Sequence, residues 1–394
     1  MRVCSTALLL GFLLGCGPWA RAQTSLVQNA AGPPWPTDSV SVRLQAALNA
    51  FLRVRDDPAA RAAYLWPPAT LETLALLDEL TGLEQAAGPP AAPCRLYLTN
   101  LVCLDSANYL LQLAALGVQD QAPRLRASFA LDAKRVGNKF MFLSPLQRQT
   151  AAWRTRQVGA IRFHYPTVLP QKAAATYAAQ AAAFDKKLGN AGQQTDLYLC
   201  NDLPTALQII GVTDKADYQG VARGSLSARQ PGRLLVISGD SGPDTFDPHD
   251  LWHQRLRNTL SPNVINKAAD EGCAFSYGGS WGIGWPVILQ QFRAYAQARP
   301  SEDWFASYAS TASVSTAAQR PLLVRYVVNA LIVQHLEHTK GFGVVKELVA
   351  CGKYENTNAQ YFQTLERVAG ITPANFNATV WNLLRGAGSQ ASER

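Results

Sequence analysis

Three short segments decide how this chain folds: Arg233-Leu234-Leu235-Val236-Ile237-Ser238, then Asp247-Pro248-His249-Asp250-Leu251-Trp252-His253, then Asp270-Glu271-Gly272-Cys273-Ala274-Phe275. The first is an unbroken apolar run of strand length, apolar enough to be central in its sheet. The second opens a helix, because Asp247 can cap the free N–H groups and Pro248 fits the first helical position. His249 and His253 then lie one turn apart on one face. That spacing lets two imidazoles reach one Zn²⁺ at about 2.0–2.1 Å. The third segment belongs to a second helix, 266–277, stopped by Gly278-Gly279. Running antiparallel to the first, it would bring Glu271, eighteen positions past His253, to the same ion. Two histidines, one glutamate and an open position form the donor set of a catalytic rather than a structural zinc.

Upstream of these segments the periodicity changes twice. Helical spacing runs over 40–54 and 71–83, and the Pro/Ala-rich stretch 88–93 breaks it. Leu125, Ala127, Phe129, Leu131 and Ala133 then alternate with polar neighbours, the pattern of a half-buried strand. Gly137-Asn138 makes a tight turn into a returning strand at 140–143, and 94–113 reads as an earlier hairpin. Next come a strand at 160–165, an Ala-rich helix over 171–188, a strand at 196–200 and a short helix at 204–210. From 285 to 384 the spacing is helical almost throughout. The order predicts an α+β protein: residues 23–155 as a small helix-plus-antiparallel-sheet domain, and 156–394 as a small sheet, the two motif helices and a helical lobe.

The chain has 394 residues, 48% apolar and 16% charged, which suits about two globular domains. Residues 1–22 read as a secretory signal: Arg2, an apolar run to Cys16, and Ala20-Arg21-Ala22 as the cleavage site. The rival reading makes Leu13-Leu14-Gly15-Cys16 a lipobox with Cys16 acylated; the Ala22 site fits better. No stretch is long enough for a transmembrane helix. In an exported protein Cys94 and Cys103 could pair, being close in sequence; mostly buried free thiols are at least as good a reading. The formal charge is +8, but the basic residues are scattered. The densest group, Arg148, Arg154, Arg156 and Arg162, has no base-stacking motif and reads as a solvated face, not a nucleic-acid surface.

The string HDLWH with Glu271 in DEGCAF resembles the HExxH…E signature of the gluzincin zinc metallopeptidases, and the succession of a small sheet and a helical lobe resembles secreted "peptidase MA-like" proteins. The resemblance covers roughly residues 162–394. It implies that His249, His253 and Glu271 bind Zn²⁺ and that peptides or proteins are the substrates. Asp250 stands where those enzymes carry the glutamate that takes a proton from water. It is one methylene shorter, so its carboxylate retreats by about 1 Å. Two readings follow: an exported zinc metallopeptidase with Asp250 as a weakened general base, or a non-catalytic relative that binds a peptide, glycan or protein. The resemblance also implies an electrophile on the helical lobe, with Tyr277, Tyr295, Tyr308 and Tyr326 as candidates. His335 and His338, in the string HLEH, have no matching carboxylate helix and read as structural. Gly239-Asp240-Ser241-Gly242-Pro243 reads as a turn before the motif helix, and the glycines of 278–284 lack dinucleotide-loop spacing.

Overall fold

A computed structural model of the chain describes residues 27–28, 38–86, 94–119, 121–240, 246–315, 321–353 and 358–386. The expected signal (1–22, with Cys16), the 88–93 linker and residues 241–243 of the turn lie outside them. The first third runs β1 (Val27–Gln28), α1 (Ser39–Arg53), α2 (Pro58–Arg61), α3 (Thr70–Ala86), β2 (Arg95–Cys103), β3 (Asn108–Gln119), β4 (Ala122–Val136), β5 (Lys139–Leu143) and α4 (Leu146–Gln149). The middle runs β6 (Arg154–Val158), β7 (Ile161–Tyr165), α5 (Gln171–Leu188), β8 (Gln194–Leu199), α6 (Leu203–Ile210), β9 (Val212–Lys215), β10 (Ser225–Gln230) and β11 (Arg233–Ser238). The last part is α7 (Pro248–Thr259), α8 (Lys267–Gly278), α9 (Trp285–Gln297), α10 (Trp304–Ala309), β12 (Ser313–Ser315), β13 (Pro321–Leu323), α11 (Val324–Lys340), α12 (Phe342–Val349), α13 (Ala359–Ala369) and α14 (Phe376–Gly386). Helix and sheet are both abundant, in keeping with an α+β chain.

One sheet has the order β1-β2-β3-β4-β5, with β9 also paired to β4. The long strands β2, β3 and β4 are antiparallel neighbours. The second sheet has the order β10-β11-β8-β7-β6. Its three inner strands β7, β8 and β11 are parallel, and the two outer strands are antiparallel to them. Parallel neighbours need a crossover, and α5 supplies it between β7 and β8. The alternation along β11 then explains its unbroken apolar sequence. Leu234 and Val236 face a core shared with Leu251 and Trp252 of α7. Leu235 and Ile237 face a second core shared with α3, α6 and the first sheet. A strand buried on both sides has no polar face to show.

Several expectations change here. Leu125 is 49% exposed. The register of β3 and β4 shifts between Ala115 and Leu116, so a bulge at Arg126 puts Leu125 out of step with Ala127 and turns it to solvent. Beyond the bulge both faces of β4 are covered, and Asp132 is buried against Arg148. Cys94 and Cys103 do not form a disulfide: Cys94 is buried and Cys103 exposed. They bracket β2, and nine steps at about 3.3 Å per residue separate them by roughly 30 Å, far beyond disulfide reach. Strand β9, drawn from 212–215, joins the first sheet across the expected boundary at 155. Strands β6, β9, β10 and β12 have no apolar run to announce them.

The basic group disperses. Arg148 grips Asp132 with two hydrogen bonds of 2.8 and 2.9 Å, Arg154 donates to the Thr167 carbonyl, and Arg162 stands 3.6 Å from Asp196. Among the described residues no helix is long and apolar enough to cross a membrane.

Candidate metal centre

Local sequence sets both motif helices. The Asp247 carboxylate accepts from the His249 N–H at 2.9 Å, with Pro248 opening α7. Asn266 caps α8 through the Ala269 N–H. On its core side α7 is anchored by Arg255, which is 1% exposed in its side chain and reaches Asp185 of α5 at 3.1 Å and Thr195 of β8 at 2.8 Å. Burial, partly offset by Arg255, pushes the Asp185 carboxyl up to about 6.

The two helices run antiparallel and touch closely at one end. A Cβ added at Gly278 would stand 2.4 Å from the His249 nitrogen, so only glycine lets the end of α8 meet the start of α7. Gly279 has φ +76°, a conformation glycine adopts without strain. Its carbonyl accepts a hydrogen bond of 2.7 Å from His249 Nδ1. The Gly-Gly pair thus both ends a helix and orients a histidine.

His249, His253 and Glu271 come together as expected, with one donor atom of each within 4.8 Å of the others. The two Nε2 atoms are 3.2 Å apart. Glu271 Oε2 lies 3.5 Å from the Nε2 of His249 and 3.9 Å from that of His253. Ligand atoms about 2.0–2.2 Å from a tetrahedral zinc stand roughly 3.3–3.5 Å apart, which is close to this spacing. Tautomers make the case sharper. His249 gives its Nδ1 proton to the Gly279 carbonyl, and His253 gives its own to both Asp270 oxygens at 2.9 Å. Each neutral ring therefore aims an Nε2 lone pair inward. Two lone pairs facing one another at 3.2 Å need a cation or a proton between them, and the donor set fits a divalent metal ion.

When a proton takes the place of a cation, His249 Nε2 donates to Glu271 instead. Burial lowers the His249 pKa, but the Glu271 carboxylate, the Gly279 carbonyl and the charge of Asp250 outweigh it, and the group ends above its ordinary value. Burial raises Glu271, yet the hydrogen bond from His249 and the charges of both histidines bring it below the usual range. A carboxylate kept ionised beside two imidazoles is what a divalent cation requires.

Asp270 escaped the sequence reading. It is buried and also accepts from Trp252 Nε1 at 3.1 Å, so the bulky residue between the histidines is itself part of the frame. Its only sequence signal was its place next to Glu271. Trp252 is fully buried.

The triad lines a cleft of about 460 Å³, with Asp250 exposed on its wall. None of the four lobe tyrosines lines it. Tyr277 donates to Glu337, Tyr308 accepts from Asn329, Tyr295 stacks on Phe292, and Tyr326 meets Phe275 edge-on. The tyrosine that does line it is Tyr177 of α5, whose hydroxyl lies 3.4 Å from Gln254 Oε1. Burial pushes its pKa up to about 12, so it holds its proton. His335 and His338 are exposed on α11 and take no part. Comparison of the chain with protein-family models, curated proteins and solved structures produced no match.

Proposed function

We propose that this chain is a zinc metallopeptidase-like hydrolase acting on peptide bonds, with His249, His253 and Glu271 as metal ligands and Asp250 as its proton-transfer carboxylate. The observation that carries the reading is the pair of Nε2 atoms 3.2 Å apart, each ring fixed from behind by an acceptor on α8 or just past its end. A zinc ion in this donor set supplies Lewis acidity and brings water at the site toward a pKa of about 7. Asp250, on the cleft wall, takes the proton of the attacking water as its oxygen bonds to the peptide carbonyl carbon. It then delivers that proton to the amine nitrogen as the C–N bond breaks. Asp270 holds His253, and Gly279 holds His249, so neither ring turns during the reaction. Residues 1–22 direct the protein out of the cytoplasm in this reading, with Cys16 as the alternative anchor.

A second reading is favoured by two observations. Asp250 is a methylene shorter than glutamate, and the lobe tyrosines expected to steady the reacting carbonyl lie elsewhere. In that reading the cleft binds a peptide, glycan or protein without cleaving it. Zinc content per chain, measured beside hydrolysis of mixed peptides by wild type and Asp250→Glu, separates the two. Near-stoichiometric zinc in both, with hydrolysis higher by on the order of 100-fold in the variant, is expected, since a 1 Å misplacement costs about that much. Zinc without hydrolysis in either protein selects the binding reading. Absence of zinc from both sinks the metal assignment.

A further inference from the structure

The cleft does not stop at the triad. A second cavity of about 420 Å³ shares Ser225, Gln254 and Arg257 with the first, so the two form one groove along α7. On α7 the residues Asp250, Gln254, Arg257 and Asn258 follow helical spacing and line one side of the groove. The other side is β10, whose Leu226 and Ala228 are buried while Ser225, Ser227 and Arg229 alternate with them and look into the groove. Strand β10 ends its sheet, so among the described residues no strand pairs with its outer edge. An edge of this kind can hydrogen-bond to an extended backbone.

The charge of the groove changes along its length. Around the triad acids and bases are mixed. In the second cavity the lining holds Arg61, Arg229 and Arg257 against one acid, Asp78, which has Arg61 as its cationic neighbour. Arg229 donates to the backbone carbonyl of Arg257, and both residues line the second cavity. No carboxylate among the described residues pairs with the Arg257 guanidinium, and this residue stands at the junction of the two cavities. The formal charge, +8 for the full sequence and +6 without Arg2 and Arg21 of the expected signal, draws anions to the chain.

We propose that the groove between α7 and β10 is a subsite for acidic side chains of an extended peptide, with Arg257 as the residue that selects them. The assignment of the groove as a substrate channel rests on the metallopeptidase reading; its preference for acid rests on Arg257 and Arg229. An exposed charge pair changes affinity by up to about fivefold, so reversing one arginine changes it by on the order of tenfold.

The test is fluorescence anisotropy at physiological salt, with the full zinc-loaded chain and labelled decapeptides that are Glu-rich, Gln-rich or Lys-rich. The Glu-rich peptide is expected to bind about tenfold or more tightly than the Gln-rich one. Arg257→Glu should erase most of that preference, Arg257→Lys should keep part of it, and Arg229→Glu should weaken it. Lys139→Glu, which removes the same charge on the exposed end of the first sheet, should leave it intact. Equal affinity for the Glu-rich and Gln-rich peptides overturns the proposal. So does a loss in Lys139→Glu as large as in Arg257→Glu, which would reduce the effect to net charge. Tighter binding of a heparin oligosaccharide than of a Glu-rich peptide of equal charge also overturns it. Anisotropy reads binding and not turnover, so a chain without zinc or hydrolysis sinks the metallopeptidase reading and leaves the acidic preference standing.

Discussion

Two helices of this protein carry closely spaced histidines, and only one of them forms a site. On α7, His249 and His253 point into a cleft, and α8 lies against them with Glu271 in front and Asp270 and Gly279 behind. On α11, His335 and His338 are exposed, and the carboxylate between them, Glu337, is taken up by Lys187 and Tyr277. The spacing on one helix is therefore not what makes a metal centre. What separates the two regions is a second helix that approaches closely enough to bring a carboxylate to the histidines and to fix both rings. Gly278 is the residue that permits that approach.

The largest effect should come from the side of α7 that faces away from the metal. Arg255→Met leaves the Asp185 carboxylate buried without its partner, which should cost about 3–5 kcal/mol by urea denaturation. The double variant with Asp185→Leu should recover much of the loss. Acid should also help the single variant. The folded-state pKa of Asp185 is raised to about 6, from an ordinary 3.8, so its contribution to stability is complete below the unfolded value and is lost as pH rises through 6. The deficit measured at pH 5 should be smaller than that at pH 7.5, and a constant deficit would show that Asp185 does not titrate there.

Next in size is removal of a ligand. Structural zinc sites with four protein ligands contribute about 10–16 kcal/mol, roughly 3 kcal/mol per ligand, so His253→Ala should bind zinc more than about 100-fold more weakly. Competition with a chromogenic chelator reads this directly. Asp270→Asn keeps the shape and the acceptor but removes the charge behind His253, and should weaken zinc by about 10–100-fold. Unchanged affinity would mean that the ring is held by packing alone.

The smallest expected effect belongs to the other helix. His335→Ala should leave zinc content unchanged and alter stability by no more than about 0.5 kcal/mol. Zinc lost from that variant would erase the contrast between the two regions.

Much of the site was legible because its signals are local. Asp247 and Pro248 start a helix, Gly278-Gly279 ends one, and the interval from His253 to Glu271 leaves room for a turn between them. Asp270 was passed over because an acid beside a ligand has no spacing rule to mark it; only the tilt of α8 sends Glu271 forward and Asp270 back. Tyr177 was missed for a related reason: it sits inside an Ala-rich helix and reads as packing until α5 is laid against α7. The bulge that exposes Leu125 and the joining of β9 to β4 depend on partners distant in the chain.

The helix caps, the main helices, the doubly buried strand at 233–238 and the identity of the three converging side chains were set by residues within a few positions of one another, because hydrogen-bonded turns and side-chain periodicity are short-range. Which face each sheet presents to which core, which acid backs which histidine and where the cationic groove runs were decided only when elements far apart in sequence packed together. Those outcomes depend on distances of a few ångströms between segments that no local pattern encodes.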